Sequence, residues 1–202
     1  MIAALMGTGL SAAAGLNAYI PFMLVGFVAR FTDVITLPES YQWIESPWAL
    51  ALATLLLLAE IVLDKIPAVD TVNDFIGTLI RPATGGLVFA AAQVGADVDS
   101  SAWMQQHEWV GAILGVVVAG GVHTTKAVSR PAINVTTAGV GGPIVSTIED
   151  ASSFTLSLIA LFLPVLVIGA LILLGWGLWS MWKRVGRARR RVRDTIDGRS
   201  TI

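Results

Sequence analysis

Residues 2–29 contain no charged side chain, and this feature constrains the fold more than any other. An uncharged apolar run of about 20 residues or more is typical of a helix that crosses a lipid bilayer. Further apolar runs follow along the chain, and only 13% of its residues are charged, whereas globular domains average about 25%. The chain is therefore predicted to be an all-α polytopic membrane protein.

About six spans are predicted, and several of them contain glycine or proline and should be bent or broken. Arg81-Pro82 and Gly85-Gly86 should interrupt the third span, and Gly139, Gly141, Gly142 and Pro143 should disrupt the fifth. If the fifth segment enters the membrane and returns, five spans remain and the N-terminus lies outside. The six predicted spans cover residues 2–29, 48–66, 75–96, 109–129, 131–148 and 153–182.

The basic residues are concentrated at the C-terminus, where eight of the 13 Lys and Arg residues lie between Lys183 and Arg199. Residues 1–182 are predicted to form the transmembrane helical domain and residues 183–202 a basic tail. Lys and Arg flanking a span favour the cytoplasmic side, so the C-terminus is expected in the cytoplasm. The tail has no interleaved aromatic residues, and attraction to membrane lipids explains it better than nucleic acid does.

Two segments, 9–18 and 121–130, are weakly similar and suggest an internal repeat of the kind found in transporters. The chain has no cysteine, which excludes disulfides and thiolate sites. No nucleophile or cofactor motif stands out, so no cofactor and no enzymatic activity are expected. Small-residue segments such as 111–121 would allow close packing between protomers, which predicts a homo-oligomer.

Acidic residues recur at helical spacing near the end of the second span. Glu60 and Asp64 are four residues apart and share a helix face, as do Asp70 and Asp74. A carboxylate inside a span is a candidate functional group, although Asp64 and Lys65 could be interfacial helix ends and one of the later acids a helix cap. If a metal binds, the four acids are its expected oxygen ligands.

His123, Lys126 and Arg130 share one face of the fourth span and require acidic partners or an anionic ligand. Glu149 and Asp150, together with the earlier acids, could supply those partners in a structural ion-pair network. The alternative is a gated site in which His123 or a carboxylate exchanges a proton.

Three further residues complete the set of candidates. Arg81, beside helix-breaking residues, could hold a phosphate or carboxylate. Asn17 and Asn134 lie in the two broken segments and could line a cavity, or they could be packing amides between helices.

Several of these motifs resemble a mainly bacterial membrane family catalogued as domain of unknown function 4126. The resemblance covers residues 7–182. It implies a helical protein of the bacterial cytoplasmic (inner) membrane with these charged motifs, and it brings no established activity. The segments that carry it are 9–21, 60–70, Ile80-Arg81-Pro82, 123–130 and Glu149-Asp150.

The sequence thus predicts a small transporter or channel that moves an ion or small solute, with proton coupling, through a charged intramembrane site. One alternative is a protein that flips or binds a phospholipid or polyprenyl phosphate, with Arg81, Lys126 and Arg130 on the headgroup. Another is a non-transporting membrane scaffold that uses the basic tail as its contact.

Overall fold

The computed structural model describes residues 1–95 and 107–196, and this part of the chain is folded into helices joined by short connections. Two short 3₁₀ helices, Glu39–Glu45 and Pro164–Leu166, precede the third and the last α-helix. The α-helices of the described part are α1 (Ile2–Leu16), α2 (Tyr19–Phe31), α3 (Pro47–Leu63), α4 (Pro67–Gly95), α5 (Glu108–Thr136), α6 (Gly141–Phe162) and α7 (Val167–Ile196). Most of the segment 97–108, which connects the third and fourth predicted spans, lies outside the described residues.

Several helices are long and apolar enough to cross a membrane. Three segments meet this condition alone: Val72–Ala92, Trp109–Thr136 and Gly141–Phe162. A fourth candidate joins the 3₁₀ helix Glu39–Glu45 to α3 across a 55° bend. The described part of the chain confirms the predicted all-helical class, and these helices are compatible with a membrane protein, whereas the count of six spans is not reproduced.

The first predicted span is broken at Asn17, and neither Pro21 nor the glycines break it. Asn17 has an extended backbone, with φ −144° and ψ 122°. Its Oδ1 accepts hydrogen bonds from the backbone N–H groups of Tyr19 (3.0 Å) and Ile20 (3.2 Å) and so caps the start of α2. Pro21 lies in the first turn of α2, where a missing N–H leaves no helix bond unmade.

The chain reverses direction at this break, as the contacts of α1 with α4, of α2 with α3 and of α3 with α4 show together. Along α1, Gly7 lies against Phe89 and Ser11 donates to the Gly85 carbonyl, so α1 runs antiparallel to α4. Along α2, Met23 contacts Thr54 and Gly26 contacts Leu50, so α2 runs antiparallel to α3.

Because α3 and α4 are themselves antiparallel, with Glu60 bound to Arg81 and Leu56 near Thr84, α1 and α2 must be antiparallel too. Each is shorter than about 23 Å at 1.5 Å per residue. They form a half-length hairpin with Asn17 at its tip, and α1, whose buried residues extend from Ala3 to Leu16, packs against α4, α5 and α6 at the centre of the bundle.

The third predicted span is not interrupted, because α4 continues through Pro82, Gly85 and Gly86. These glycines provide close packing against α5. A Cβ on Gly85 would overlap the Ala119 methyl and lie 2.8 Å from the Gly115 carbonyl oxygen. Small residues that let two backbones approach are typical of membrane helix pairs, so the predicted interruption at Gly85 and Gly86 is wrong.

The segment 131–148 is not a separate crossing, contrary to the prediction. Helix α5 continues through Pro131 to Thr136, and α6 begins at Gly141. Only the turn between them leaves the helical conformation, with positive φ at Ala138 (50°) and Gly139 (86°). Pro143 is tolerated because it lies in the first turn of α6.

The last predicted span, 153–182, is divided. Helix α6 ends at Phe162, and Leu163 adopts φ −137° and ψ 55° before Pro164. A residue before proline is driven out of the helical region, which explains the break. The predicted repeat is not supported either, since segment 9–18 contains the end of α1 and the break at Asn17, whereas 121–130 lies inside continuous α5.

The helix directions define two ends of the bundle. The turn end holds residues 64–66 and 137–140, where α3 meets α4 and α5 meets α6. The loop end holds residues 32–46 and 163–166. Both termini of the half-length hairpin lie toward the loop end, and its tip points toward the turn end.

Candidate functional site

A charged cluster lies inside the bundle where α3, α4, α5 and α6 meet. Arg81 and His123 lie near the middle of the candidate spans Val72–Ala92 and Trp109–Thr136. Arg81 is 1% exposed and Lys126 is 0% exposed, which is unusual for residue types that are almost never fully buried unless paired. The charged cluster consists of Glu60, Asp64, Asp74, Arg81, Lys126, Arg130 and Glu149.

Arg81 connects the acidic residues of α3 and α4. Its Nη2 lies 2.7 Å from Oε1 of Glu60 and 3.9 Å from Oδ2 of Asp64. Its Nη1 lies 3.0 Å from Oδ1 of Asp74. The guanidinium fork can serve several carboxylates at once because its donors diverge in fixed directions.

Lys126 and Arg130, one turn apart on α5, bind a second set of carboxylates. Both contact Oδ2 of Asp64, at 3.5 Å from Lys126 Nζ and 3.0 Å from Arg130 Nη2. Both also contact Oε2 of Glu149 on α6, at 3.1 Å from Lys126 Nζ. Asp64 therefore joins the Arg81 half of the cluster to the Arg130 half.

The tip of the half-length hairpin reaches this cluster. Lys126 Nζ donates to the carbonyl oxygen of Leu16, the last residue of α1, at 2.9 Å. Asn17 is fully buried, and its Nδ2 donates to Oδ1 of Asp150 at 2.9 Å. Ser153 Oγ donates to the Ala13 carbonyl one turn earlier. The end of α1 is thus held by α5 and α6 together.

His123 is neutral in this arrangement. Arg81 Nη1 lies 2.8 Å from His123 Nδ1, and a guanidinium can only donate, so Nδ1 must accept. Thr78 Oγ1, whose proton goes to the Asp74 carbonyl, lies 3.1 Å from Nε2 and accepts from it. Protonating Nδ1 would break the bond to Arg81, which disfavours the predicted role of His123 as the proton carrier.

The structure thus brings most of the predicted charged residues into one network. Lys65 lies apart from it, since this half-buried side chain donates to the Ile61 carbonyl at 3.1 Å. Asn134 lies at the α5–α6 turn, where its Oδ1 would be 2.5 Å from a Cβ on Gly142. The side chain of Asp70 lies outside the described part of the structure.

Two residues of the site were not among the predicted site residues. Asn73 Nδ2 donates to Oδ1 of Asp64 at 2.6 Å, and Thr78 bonds to His123 as described. Thr78 follows Asp74 by four residues and so shares its helix face, a spacing that could have identified it. Asn73 faces the cluster across the α3–α4 turn, and no spacing rule along one helix would have selected it.

The cluster contains more acidic than basic side chains. Among the described side chains, four carboxylates (Glu60, Asp64, Asp74 and Glu149) contact three cations (Arg81, Lys126 and Arg130). Asp150, held by Asn17, adds a fifth carboxylate beside them. Oε2 of Glu60 and Oε1 of Glu149 are buried and have no hydrogen-bond partner.

A metal centre is not assembled from these acids. Within residues 1–95 and 107–196, no three His, Asp or Glu side chains are arranged to hold a metal ion. The reason is visible for the predicted acids, because the guanidinium of Arg81 contacts Glu60, Asp64 and Asp74 and occupies the space that an ion would need.

Comparison with curated proteins gives no match, and comparison with solved structures gives none either. A family model does match, and it confirms the resemblance seen in the charged motifs. The match extends from residue 4 to residue 184 and so includes every residue of the charged cluster. The chain belongs to the family described as domain of unknown function (DUF4126).

Proposed function

We propose that this protein is a small integral membrane transporter or channel that moves a proton, another small cation or a solute coupled to one through the charged cluster. The observation that carries the proposal is the meeting of the hairpin tip, Leu16 and Asn17, with Lys126 and Asp150 inside the bundle. Helices that stop at mid-depth are typical of transport proteins, in which the broken backbone forms the binding site.

The helix break supports the proposal because backbone polar groups in a membrane must be satisfied. At Asn17 they are satisfied by the side chains of Lys126 and Ser153 and by the cap that Asn17 provides. Non-helical backbone is tolerated at membrane depth only where protein or a water-filled cavity surrounds it. An unbroken helix would need none of these side chains.

The charge surplus supports a cationic cargo. Four directly paired carboxylates and three cations leave one negative charge, and Asp150 adds another. An unbalanced carboxylate in a medium of low dielectric is strongly unfavourable, so it takes a proton or a cation. Glu60 and Glu149, each with an oxygen that has no hydrogen-bond partner, are the proposed acceptors.

Every carboxylate of the cluster contacts a cation in this structure, which we assign to a closed state. Release of the cargo then requires a rearrangement of these ion pairs. Lys126 and Arg130 each contact both Asp64 and Glu149, so either cation can leave Asp64 and remain bound to Glu149. The competing interpretation is a permanent structural network. The two interpretations differ in the flux expected when one acid is neutralised: a transport site loses flux, and a structural network does not.

We also propose the membrane topology. Helices α3 to α7 cross the membrane, the α1–α2 hairpin enters from the loop end and returns, and the N-terminus lies outside. The basic residues after Trp182 favour a cytoplasmic turn end and C-terminus in the bacterial inner membrane. This topology replaces the six predicted spans by five crossings and one re-entrant hairpin.

The test is a flux measurement in proteoliposomes that enclose a pH-sensitive dye. We expect a proton or alkali-cation gradient to drive flux through the wild-type protein, and Glu60→Gln to reduce the flux at least about tenfold. Glu39→Gln, at the loop end, is the matched control and should leave it unchanged. Normal flux in a folded Glu60→Gln protein would favour the structural network.

The lipid alternative receives less support from the geometry of the site. Arg81, Lys126 and Arg130, the residues expected to grip a phosphate headgroup, are each paired with carboxylates and almost fully buried. A headgroup would have to displace those acids. The scaffold alternative remains testable by deleting residues 183–202, which should leave flux intact if the body of the protein performs transport.

A further inference from the structure

A cavity rich in aromatic side chains lies between α2, α3 and α4, on the loop-end side of the charged cluster. Its volume is about 220 Å³, below the range of about 300–1,000 Å³ typical of sites for drug-sized molecules, so it suits a compact ligand. On α3 its wall includes Ala49 and Ala53, whose small side chains leave space beside the rings. We call this cavity the aromatic vestibule, and its four aromatic side chains are Tyr19, Phe22, Trp43 and Trp48.

The aromatic vestibule extends from the loop end toward the charged cluster. Trp48 lies at the start of α3, and Leu56 lies about 12 Å deeper along the same helix at 1.5 Å per residue. Glu60 follows one turn later and does not line the cavity, so the vestibule stops just short of the cluster in this closed state. Tyr19 borders the hairpin tip, because its backbone N–H donates to Asn17.

The rings near the mouth of the vestibule lie close together. The ring centroids of Trp43 and Trp48 are 6.3 Å apart and their planes differ by 18°, while Phe22 lies 5.7 Å from Trp43. An aromatic face attracts a cation that lies within about 6 Å of its centroid. Within residues 1–95 and 107–196, the Arg and Lys side chains that lie over a ring contact Phe31 and Trp179, so the rings of the vestibule are left to an external cation.

The charges at both ends of the vestibule favour a positively charged ligand. Residues 32–46, which include Trp43, contain Asp33, Glu39 and Glu45 and no basic residue. At the inner end, the charged cluster contains more acidic than basic side chains. Acidic groups along a path raise the local concentration of cations.

We propose that the aromatic vestibule binds a small organic ammonium cation on its way from the loop end to the charged cluster. The inference rests on the proposed transport function and names the class of its cargo. Small metal cations need several oxygen ligands, whereas the rings of the vestibule suit an ammonium group with apolar substituents. A lipid headgroup stays at the membrane surface and would not fill the deep end beside Leu56 and Thr84.

Equilibrium dialysis of radiolabelled choline against the protein in dodecyl maltoside tests the proposal without a gradient and without ammonium lipids. The competitor is the uncharged analogue of choline in which a tert-butyl group replaces the trimethylammonium group. We expect choline to bind, and the analogue to bind at least about tenfold more weakly, because it has the same shape but no charge. Equal binding of the two compounds, or no binding of choline, would overturn the proposal.

Substitutions of the rings test the location of the site. Trp43→Leu should weaken choline binding about tenfold, and Trp43→Phe, which keeps a ring, should weaken it less. Trp109→Leu is the matched control, because Trp109 is also an exposed tryptophan at the loop end but does not line the vestibule. Trp48→Leu replaces Trp43→Leu if that variant fails to fold. Full choline binding by the Leu variants, or an equal loss in Trp109→Leu, would contradict a site between these rings.

The binding and flux experiments can fail separately. If proton or alkali-cation flux depends on Glu60 but choline does not bind, the vestibule proposal is wrong and the transport proposal stands. If choline binds but no gradient drives flux, the transport proposal is wrong and the vestibule remains a binding site for an ammonium cation.

Discussion

Arg81 is enclosed near the middle of α4, and its two terminal nitrogens bind carboxylates of two different helices. Nη2 holds Glu60 of α3, and Nη1 holds Asp74 of its own helix as well as His123 of α5. Removing one partner of a buried ion pair leaves the other charge uncompensated, which is more damaging than the loss of the contact itself. The stability of the bundle should therefore be sensitive to this residue.

We expect Arg81→Gln to lower the free energy of unfolding by about 3–5 kcal/mol, the typical loss when a buried ion pair loses one member. Equilibrium unfolding in detergent, followed by helical circular dichroism, measures it. Arg30→Gln is the control, because Arg30 is exposed and donates only to the Glu45 carbonyl. The double variant Arg81→Gln with Glu60→Gln should recover part of the loss, and if it does not, the two residues are not coupled.

Asn17 performs two tasks that two substitutions can separate. Asn17→Ala removes the cap on α2 and should lower stability by about 1 kcal/mol or more. Asn17→Asp keeps the cap but places a carboxylate against Asp150, so it should be the more destabilising at neutral pH. At acidic pH a protonated Asp at this position can donate to Asp150, and the difference should shrink. Unfolding curves of both variants at several pH values test whether the stability difference between them shrinks as the pH falls.

At the scale of elements, the contact between α4 and α5 depends on glycines that face each other. A Cβ on Gly85 would lie 2.8 Å from the Gly115 carbonyl oxygen, and one on Gly86 would lie 2.8 Å from that of Ala112. Backbone atoms cannot move aside as a flexible side chain can. This pair of helices also carries Arg81, His123, Lys126 and Arg130, so its spacing sets the geometry of the cluster.

We expect Gly85→Ala to destabilise the protein by about 1–3 kcal/mol, the usual effect of overpacking. Gly121→Ala is the matched control, because Gly121 also lies in a helix but has nothing within 4 Å of its Cβ position. There the gain in helix propensity, about 1 kcal/mol, should leave stability unchanged or raised. Similar melting temperatures for the two variants would contradict the close approach of α4 and α5.

The helical spacing of charged residues predicted much of the site. Glu60 with Asp64, and Lys126 with Arg130, were placed on common faces by their intervals alone, and the structure brings both pairs into one cluster. The same sequence could not show that Arg81 bridges Glu60 and Asp74, or that the Leu16 carbonyl accepts from Lys126. The Arg81–Glu60 and Lys126–Leu16 contacts join different helices and depend on helix directions that no local pattern contains.

Glycine and proline were the weaker guides to the elements. Pro82, Pro131, Gly85 and Gly86 lie inside continuous helices, whereas the hairpin break falls at Asn17. A local propensity is overridden when neighbouring helices pack closely enough to fix the backbone, which is the case for α4 against α5. At Asn17 the side chain caps α2 locally and also donates to Asp150 on α6. A count of helix-breaking residues detects neither contact.

At the scale of the whole molecule, the reversal at Asn17 decides on which side the N-terminus lies. A straight first span would place Ile2 and Glu39 on opposite sides of the membrane, because the chain would cross once between them. The antiparallel α1–α2 hairpin places both at the loop end, since Gly7 lies against Phe89 and Gly26 against Leu50. The turn at 137–140 then lies on the opposite side.

The absence of cysteine from the natural sequence allows a direct test of this topology. Single variants Ile2→Cys, Glu39→Cys and Val140→Cys can be treated in intact cells with a membrane-impermeant maleimide, and the unmodified chain gives the blank. We expect Ile2→Cys and Glu39→Cys to be labelled from outside and Val140→Cys only after permeabilisation. Labelling of Glu39→Cys without labelling of Ile2→Cys would mean that the first segment crosses the membrane, and the hairpin tip could then not meet the charged cluster as proposed.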